Sequence, residues 1–258
     1  MKIVLATRNA QKARELKTIL GCRIQVLTLD QVAFSGEMTE TGATLEENAG
    51  IKARQVAIRI RAEKRLAPET FVIALADDSG LEVDALGGAP GVRSARYAGE
   101  SANDRANVRK LLGALTGLPG QRRRARFRCV LAAIPVRPGQ TEDVSAIMFE
   151  GICEGRIGYR PKGVHGFGYD PIFFPLGSCR TFAEITAKKK NELSHRAMAM
   201  AKFKDWLSKQ GFAPSKPFMR AARIFHTNRR SSADCSGPAS AGSPPQPHGG
   251  QRPPLQKS

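Results

Sequence analysis

The sequence predicts an α/β domain built around a mixed sheet. Two observations carry this: helical and strand patterns alternate through the first half of the chain, and two long apolar runs joined by a turn, the mark of a hairpin, follow in the second. A third is the length, 258 residues with 41% hydrophobic and 25% charged, which is ample for a real core.

The elements follow in order. KIVLA (Lys2–Ala6) reads as a short buried strand. NAQKARELKTIL (9–20) is a helix, with Ala13, Leu16, Ile19 and Leu20 on one stripe and Gly21 closing it. CRIQVLTL (22–29) is the next strand. TLEENAGIKARQVAIRIRAEKRL (44–66) opens with a capping box, in which Thr44 accepts from the Glu47 backbone and the Glu47 side chain reaches back. Leu45, Ala49, Ala53, Val56 and Ile60 keep one face of that helix apolar. The uncharged run FVIALA (71–76) is a core strand that stops at Asp77 and Asp78, where a Gly-rich loop begins. A helix covers about 103–115. RARFRCVLAAIPV (124–136) and VSAIMFEGICEGRI (144–157) are antiparallel strands joined by RPGQTED, and a last helix spans 194–209.

Residues 213–258 differ in kind. They hold eight of the sixteen prolines and seven serines, too little apolar surface to offset chain entropy, and read as a disordered basic tail. The net charge of +18 includes +6 from this tail, where seven basic residues meet one acid; residues 1–212 retain +12. An anionic partner is implied, and a phosphate-rich small molecule fits as well as nucleic acid. The five cysteines are widely spaced with no CxxC pair, which implies reduced thiols in a cytoplasmic compartment and no zinc site. No apolar window reaches membrane-spanning length, so no membrane partner is expected.

Four polar segments interrupt the pattern where an element should end. Thr7, Arg8, Asn9, Ala10, Gln11 and Lys12 lie where strand one meets helix one, and a helix N-terminus is a ready phosphate site, although Asn9 also suits a plain cap. Glu40 precedes a Thr-Gly turn, and Lys52 falls near the apolar stripe of the second helix; a functional role requires it to reach the loop after strand one. Asp77, Asp78, Ser79 and Gly80 bring paired carboxylates to the end of a core strand, where Mg²⁺ would relieve their repulsion and one carboxylate would take a proton from water. Phe167, Gly168, Tyr169 and Asp170 form a glycine-bracketed aromatic loop suited to a nucleobase. Downstream, His195 and Arg196 open the last helix; an arginine there opposes the helix dipole and calls for an anion or carbonyl.

The ordered set T-x-N-x-x-K, ETGATLEENAGIKA, ADDSGLEVDALGGAPGVRSARYAG, RARFRCVLA, GFGYDPIFFP and LSHRA, spread over residues 1–210, closely resembles the inosine/xanthosine triphosphate pyrophosphatase family. The resemblance implies an elongated mixed sheet with flanking helices in two lobes around a central nucleotide cleft, and a homodimer. It implies Mg²⁺-dependent hydrolysis of dITP, ITP, XTP or dXTP to the monophosphate and pyrophosphate, which keeps such nucleotides out of DNA and RNA. By motif, Asp78 matches the proton acceptor and a metal ligand, and Glu40 the second ligand. Residues 7–12, Lys52, Ser79 and Lys190 match phosphate or substrate contacts. Residues 167–170, His195 and Arg196 match base recognition, and Asp77 would support the metal shell. Arg8 stands where the family often has glycine.

Arg196 carries donors only, which suits a 6-keto purine and not the adenine amine. What rejects GTP is not visible in the sequence. Two rivals remain: a related pyrophosphatase group acting on modified pyrimidine nucleotides, and a basic RNA- or DNA-binding module using the tail. The FGYD and SHR segments disfavour the first; Asp77, Asp78 and Glu40 would repel a phosphate backbone and disfavour the second.

Overall fold

A computed structural model of the chain describes residues 1–21, 24–32, 34, 36, 38, 40–62, 71–139 and 144–211. Contacts divide the chain into two units, Met1–Ala222 and Arg223–Ser258, and every described residue belongs to the first. The tail read at 213–258 and residues 140–143 of the RPGQTED turn lie outside the described residues.

Among the described residues seven strands form one mixed sheet, in the order β2 (Gln25–Leu27), β1 (Lys2–Ala6), β3 (Val72–Val83), β5 (Arg124–Val136), β6 (Ile147–Ile157), β7 (Phe173–Pro175), with β4 (Pro90–Gly91) beside β3. β1 runs parallel to β2 and β3, so each connection needs a crossover; α1 (Ala10–Leu20) and α2 (Leu45–Ala62) supply them. The β3–β5, β5–β6 and β6–β7 pairs are antiparallel. Helices α3 (Asp104–Ala114), α4 (Ala187–Leu193) and α5 (His195–Lys209) complete the set.

Side chains alternate along a strand, so β3 sorts its residues onto two faces. Val72, Ala74 and Ala76 pack against the α2 stripe of Leu45, Ala49, Ala53, Val56 and Ile60. Ile73 and Leu75 face the other way, into a cluster with Ala13 and Leu16 of α1 and Met200, Phe203 and Leu207 of α5. Farther along, Leu81 and Val83 join Val108 and Leu111 of α3 and the rings of Phe127, Phe173 and Phe182 in a third cluster. Each large apolar side chain so buried contributes about 1.5–3 kcal/mol.

Four readings change. The strand expected to stop at residue 76 runs on to Val83, because Asp77 to Val83 pair in register with Leu131 to Ala125. The anticipated loop at Asp77–Gly80 is therefore β-strand. Of the strand expected over 22–29, residues 22 and 23 lie outside the described residues, and among 24–29 the strand is Gln25–Leu27. In the capping box Thr44 accepts from the Glu47 amide, but the Glu47 carboxylate reaches Ala43, one residue beyond the expected partner. Finally, Cys129 and Cys153 are free thiols while Cys179 is disulfide-bonded, so the expectation of reduced thiols fails at that position.

Two glycines show how closely backbone packs near α5 and α2. A Cβ at Gly151 on β6 would collide with the His195 carbonyl and the Ala199 amide, both backbone atoms of α5 that cannot give way. At Gly50, inside α2, the nearest neighbour is the flexible Met148 methyl at 3.3 Å. Gly151→Ala is therefore expected to lose about 1–3 kcal/mol, whereas Gly50→Ala gains about 0.5–1 kcal/mol of helix propensity. Urea unfolding followed by Trp206 fluorescence measures both; equal effects would show that α5 does not press on β6 as described.

Candidate active site

The alternation on β3 fixes the site. Asp77 follows Leu75 on the face of α1 and α5, and Asp78 follows Ala76 on the face of α2. Adjacent in sequence, the two carboxylates point to opposite faces of the sheet, and each finds its own cations.

Asp77 is 1% exposed. Lys12 of α1 lies 2.5 Å from Oδ1, and Arg196 Nε of α5 donates to Oδ2 at 2.8 Å. Ser79 Oγ donates to the same carboxylate at 3.1 Å, and the Cys129 thiol adds a contact at 3.2 Å. Burial opposes the charge, yet Arg196 and Lys12 outweigh it and hold this carboxyl well below the ordinary range. Asp77 is an ionic anchor that joins β3 to α1 and α5.

Asp78 accepts from Lys52 Nζ at 2.8 Å, and the same ammonium donates to Glu40 Oε1 at 3.1 Å and to the Asp77 carbonyl at 3.0 Å. Lys52 lies seven residues after Leu45, two turns on, so the helical repeat places it on the buried stripe. It reaches across to β3 rather than to the loop after β1. Burial disfavours its charge, but Asp78 and Glu40 more than compensate and raise its proton affinity. For Asp78 burial wins over Lys52 and pushes the carboxyl up. Glu40 goes the other way: despite partial burial, Lys52 and Arg96 hold it low.

These groups line one cavity of about 550 Å³, large enough for a nucleotide. Thr7, Arg8, Asn9, Lys12, Glu40, Lys52, Asp77, Asp78, Ser79, Phe167–Asp170, Lys190, His195 and Arg196 all border it; Ala10 and Gln11 do not. Asn9 caps α1, accepting from Gln11 and Lys12 amides at 2.9 and 3.1 Å. The plain-cap role of Asn9 is thus real, and it occupies amides that a phosphate would otherwise take. Arg8 donates to the Gly36 carbonyl at 2.7 Å, tying the first loop to the segment before Glu40.

At the other end, Asp170 accepts from its own loop, Phe167 N at 2.8 Å, and from Lys190 at 2.6 Å. Its burial outweighs Lys190, so the carboxyl is raised. Tyr169 is a core residue whose hydroxyl donates to the Ser94 carbonyl at 2.9 Å, which leaves Phe167 as the half-buried ring of the loop, with Lys190 4.7 Å from its centroid. His195 stacks on Phe127 at 4.7 Å, and its Nδ1 is buried without a partner. Burial, then Arg196 and Lys190, push the imidazole well below its ordinary pKa, so the ring is neutral. Arg196 meets Asp77 and Glu15, protein anions in place of the external one its position suggested.

Three contributors escaped the sequence reading. Glu15 of α1 bridges Lys190 at 2.8 Å and Arg196; Arg96 pairs with Glu40 at 3.3 Å; Asp104 binds the Gly168 amide at 2.7 Å. Glu15 is one turn beyond Lys12, on the face that α1 turns to the cavity, and that spacing was the available signal. No His/Cys/Asp/Glu cluster of three metal donors occurs among the described residues, nor any helix long and apolar enough to cross a membrane.

The Ham1 family model matches residues 3–206. The dITP/XTP pyrophosphatase of Bacillus licheniformis is 46% identical over 203 residues, 78% of this chain and 95% of that protein. The Bacillus subtilis dITP/XTP pyrophosphatase is 44% identical over 200 residues, covering 77% and 93%. Among solved structures, a HAM1 protein from Coxiella burnetii superposes with a TM-score of 0.68 at 36% identity over 81% of this chain and 99% of its own. The Staphylococcus aureus Ham1 protein gives 0.65 at 37% identity, covering 81% and 100%.

A pH dependence follows from His195. The unfolded chain takes up its proton as pH falls through 6.5, and the fold does not, so this stability is present above 6.5 and lost below it. Asp77 has the same sign at lower pH, beneath its unfolded value of 3.8. The urea midpoint of the native protein should fall between pH 7.5 and 5.5, and His195→Gln should flatten that fall. An equally steep fall in the variant would mean that His195 is not buried neutral.

Proposed function

The chain belongs to the Ham1 family, and from that premise we propose that it is a nucleoside triphosphate pyrophosphatase acting on dITP and XTP, together with ITP and dXTP. Hydrolysis falls at the α–β phosphoanhydride bond, gives the monophosphate and pyrophosphate, and clears these nucleotides before polymerases can use them. The observation that carries the reading is the convergence of Asp78 and Glu40 on one cation, Lys52, in a cavity that also holds Lys12, Lys190, Arg196 and the aromatic loop at 167–170.

That donor set fits Mg²⁺, which takes hard oxygens, is commonly held by one or two carboxylates and leaves its other positions to water and substrate phosphates. Asp78 and Glu40 are the residues that would hold it, and it would neutralise phosphate oxygens. Asp78, its carboxyl raised by burial, orients and deprotonates the water that attacks the α-phosphorus in line with the departing pyrophosphate. Lys12, Lys52 and Lys190 absorb the charge that builds on that leaving group. In this structure each of the three is already paired with a carboxylate, so a triphosphate must share or displace those contacts.

Arg196 offers donors only, which favours a 6-keto purine over adenine, and the base must share a guanidinium already held by Asp77, Glu15 and Ser79. Ser79 reinforces the Asp77–Arg196 pair, donating to Asp77 and accepting from Arg196 at 3.2 Å. The proposal includes a cytoplasmic homodimer with the nucleotide domain spanning residues 1–212, and light scattering on the full chain tests the dimer.

Pyrophosphate release from dITP, XTP, dGTP and dATP tests the reading. Turnover of dITP and XTP should exceed that of dGTP and dATP by about a hundredfold, vanish with EDTA and return with Mg²⁺. Glu40→Gln should shift the Mg²⁺ requirement to higher concentration. Equal turnover of all four, or activity indifferent to EDTA, would contradict it.

A further inference from the structure

The end of the cavity assigned to the base has two walls, the loop at 94–99 and the loop at 166–170, and α3 fastens both. Asn107, 2% exposed, donates to the Ala95 carbonyl at 2.9 Å and accepts from the Ala98 amide at 2.8 Å. One turn on, Lys110 donates to the Tyr97 carbonyl at 2.7 Å and lies 4.7 Å from the Tyr97 ring centroid. Asp104 reaches the opposite wall, where its Oδ2 accepts from the Gly168 amide at 2.7 Å. The Tyr169 hydroxyl then joins the walls directly through the Ser94 carbonyl.

An acid in the first turn of a helix has an ordinary explanation in the helix dipole and capping. Here the cap is already supplied: Asn103 accepts from the Ala106 amide at 2.9 Å. Asp104 instead bonds a residue 64 positions away, at a glycine with φ of 60°, a left-handed conformation that gives the loop little intrinsic stiffness. The loop's internal bonds run between Phe167 and Asp170, so the Asp104 contact is what ties the Gly168 amide to the rest of the fold. Asp104 also borders the cavity, and a carboxylate there has no affinity for the triphosphate.

We propose that Asp104 is a positioning residue for base recognition: it pins the aromatic loop to α3 and so sets the width of the cavity where the purine enters. This rests on the pyrophosphatase reading for its kinetic consequence, but not for the structural one. Loss of the contact frees Phe167 and Gly168, weakens nucleotide capture and leaves the attacking water and the Asp78 chemistry unchanged.

The experiment compares Asp104→Ala with Asp104→Asn, whose side-chain oxygen can still accept the amide. Steady-state hydrolysis of dITP should show KM about tenfold higher in the alanine variant, the size expected for one charge-assisted hydrogen bond, with kcat within about twofold; asparagine should restore most of the KM. Hydrogen exchange of the 166–170 segment without nucleotide should quicken in the alanine variant and stay near native in the asparagine variant. Unchanged KM and exchange in the alanine variant would overturn the proposal, as would a kcat loss that asparagine fails to rescue. If the native protein hydrolyses none of the triphosphates, the function fails while the exchange result still decides the role of Asp104.

Discussion

The arrangement depends on two carboxylates buried side by side in one β-strand. Burying an uncompensated carboxylate is prohibitive, and two adjacent ones repel unless something separates them. The pleat of β3 separates them by direction, and the fold then supplies cations on each face: Lys12 and Arg196 on one, Lys52 on the other. Helices α1, α2 and α5 are thereby bound to the same two residues of β3 by ion pairs as well as by apolar packing. Neutralising Asp77 leaves the buried Arg196 and Lys12 charges short of a partner, which costs about 3–5 kcal/mol, whereas Lys52 keeps Glu40 when Asp78 is neutralised.

The two aspartates have different work because their environments differ. Asp77 is surrounded by two cations, a hydroxyl and a thiol, and stays ionised with no contact to spare. Asp78 shares a single lysine with Glu40 and keeps a raised proton affinity. One carboxyl is held low and the other is raised, although a single residue step divides them. The paired cations of the cavity carry a further consequence. Lys12, Lys52, Lys190 and Arg196 all engage protein carboxylates, so the site is close to electrically balanced and rewards a ligand that brings its own cation along with its phosphates.

Much of this was legible in the sequence. The stripes of α1 and α2, the cap at Asn9, the helix beginning after Asn103 and the last helix after Ser194 come directly from apolar spacing and capping residues. The six ordered motifs placed the family, and every candidate site residue except Ala10 and Gln11 borders one cavity. The Asp-Asp-Ser-Gly stretch was misread as a loop, since local propensity favours a turn there and the ladder with β5 that overrides it involves residues about fifty positions away. Glu15, Arg96 and Asp104 were invisible for a similar reason. Their partners Arg196, Glu40 and Gly168 are 181, 56 and 64 residues distant, and apart from the one-turn spacing of Glu15 from Lys12 nothing in the local sequence announces such a partner.

The division between the aspartates is the central claim, and unfolding free energies of Asp77→Asn and Asp78→Asn in metal-free buffer test it most directly. Asn mimics the neutral acid, which the fold disfavours at 77 and favours at 78. Asp77→Asn should lose about 3–5 kcal/mol while Asp78→Asn changes by less than about 1 kcal/mol or gains. Similar losses at both positions would contradict the account, because they would mean that the two carboxylates serve the fold alike.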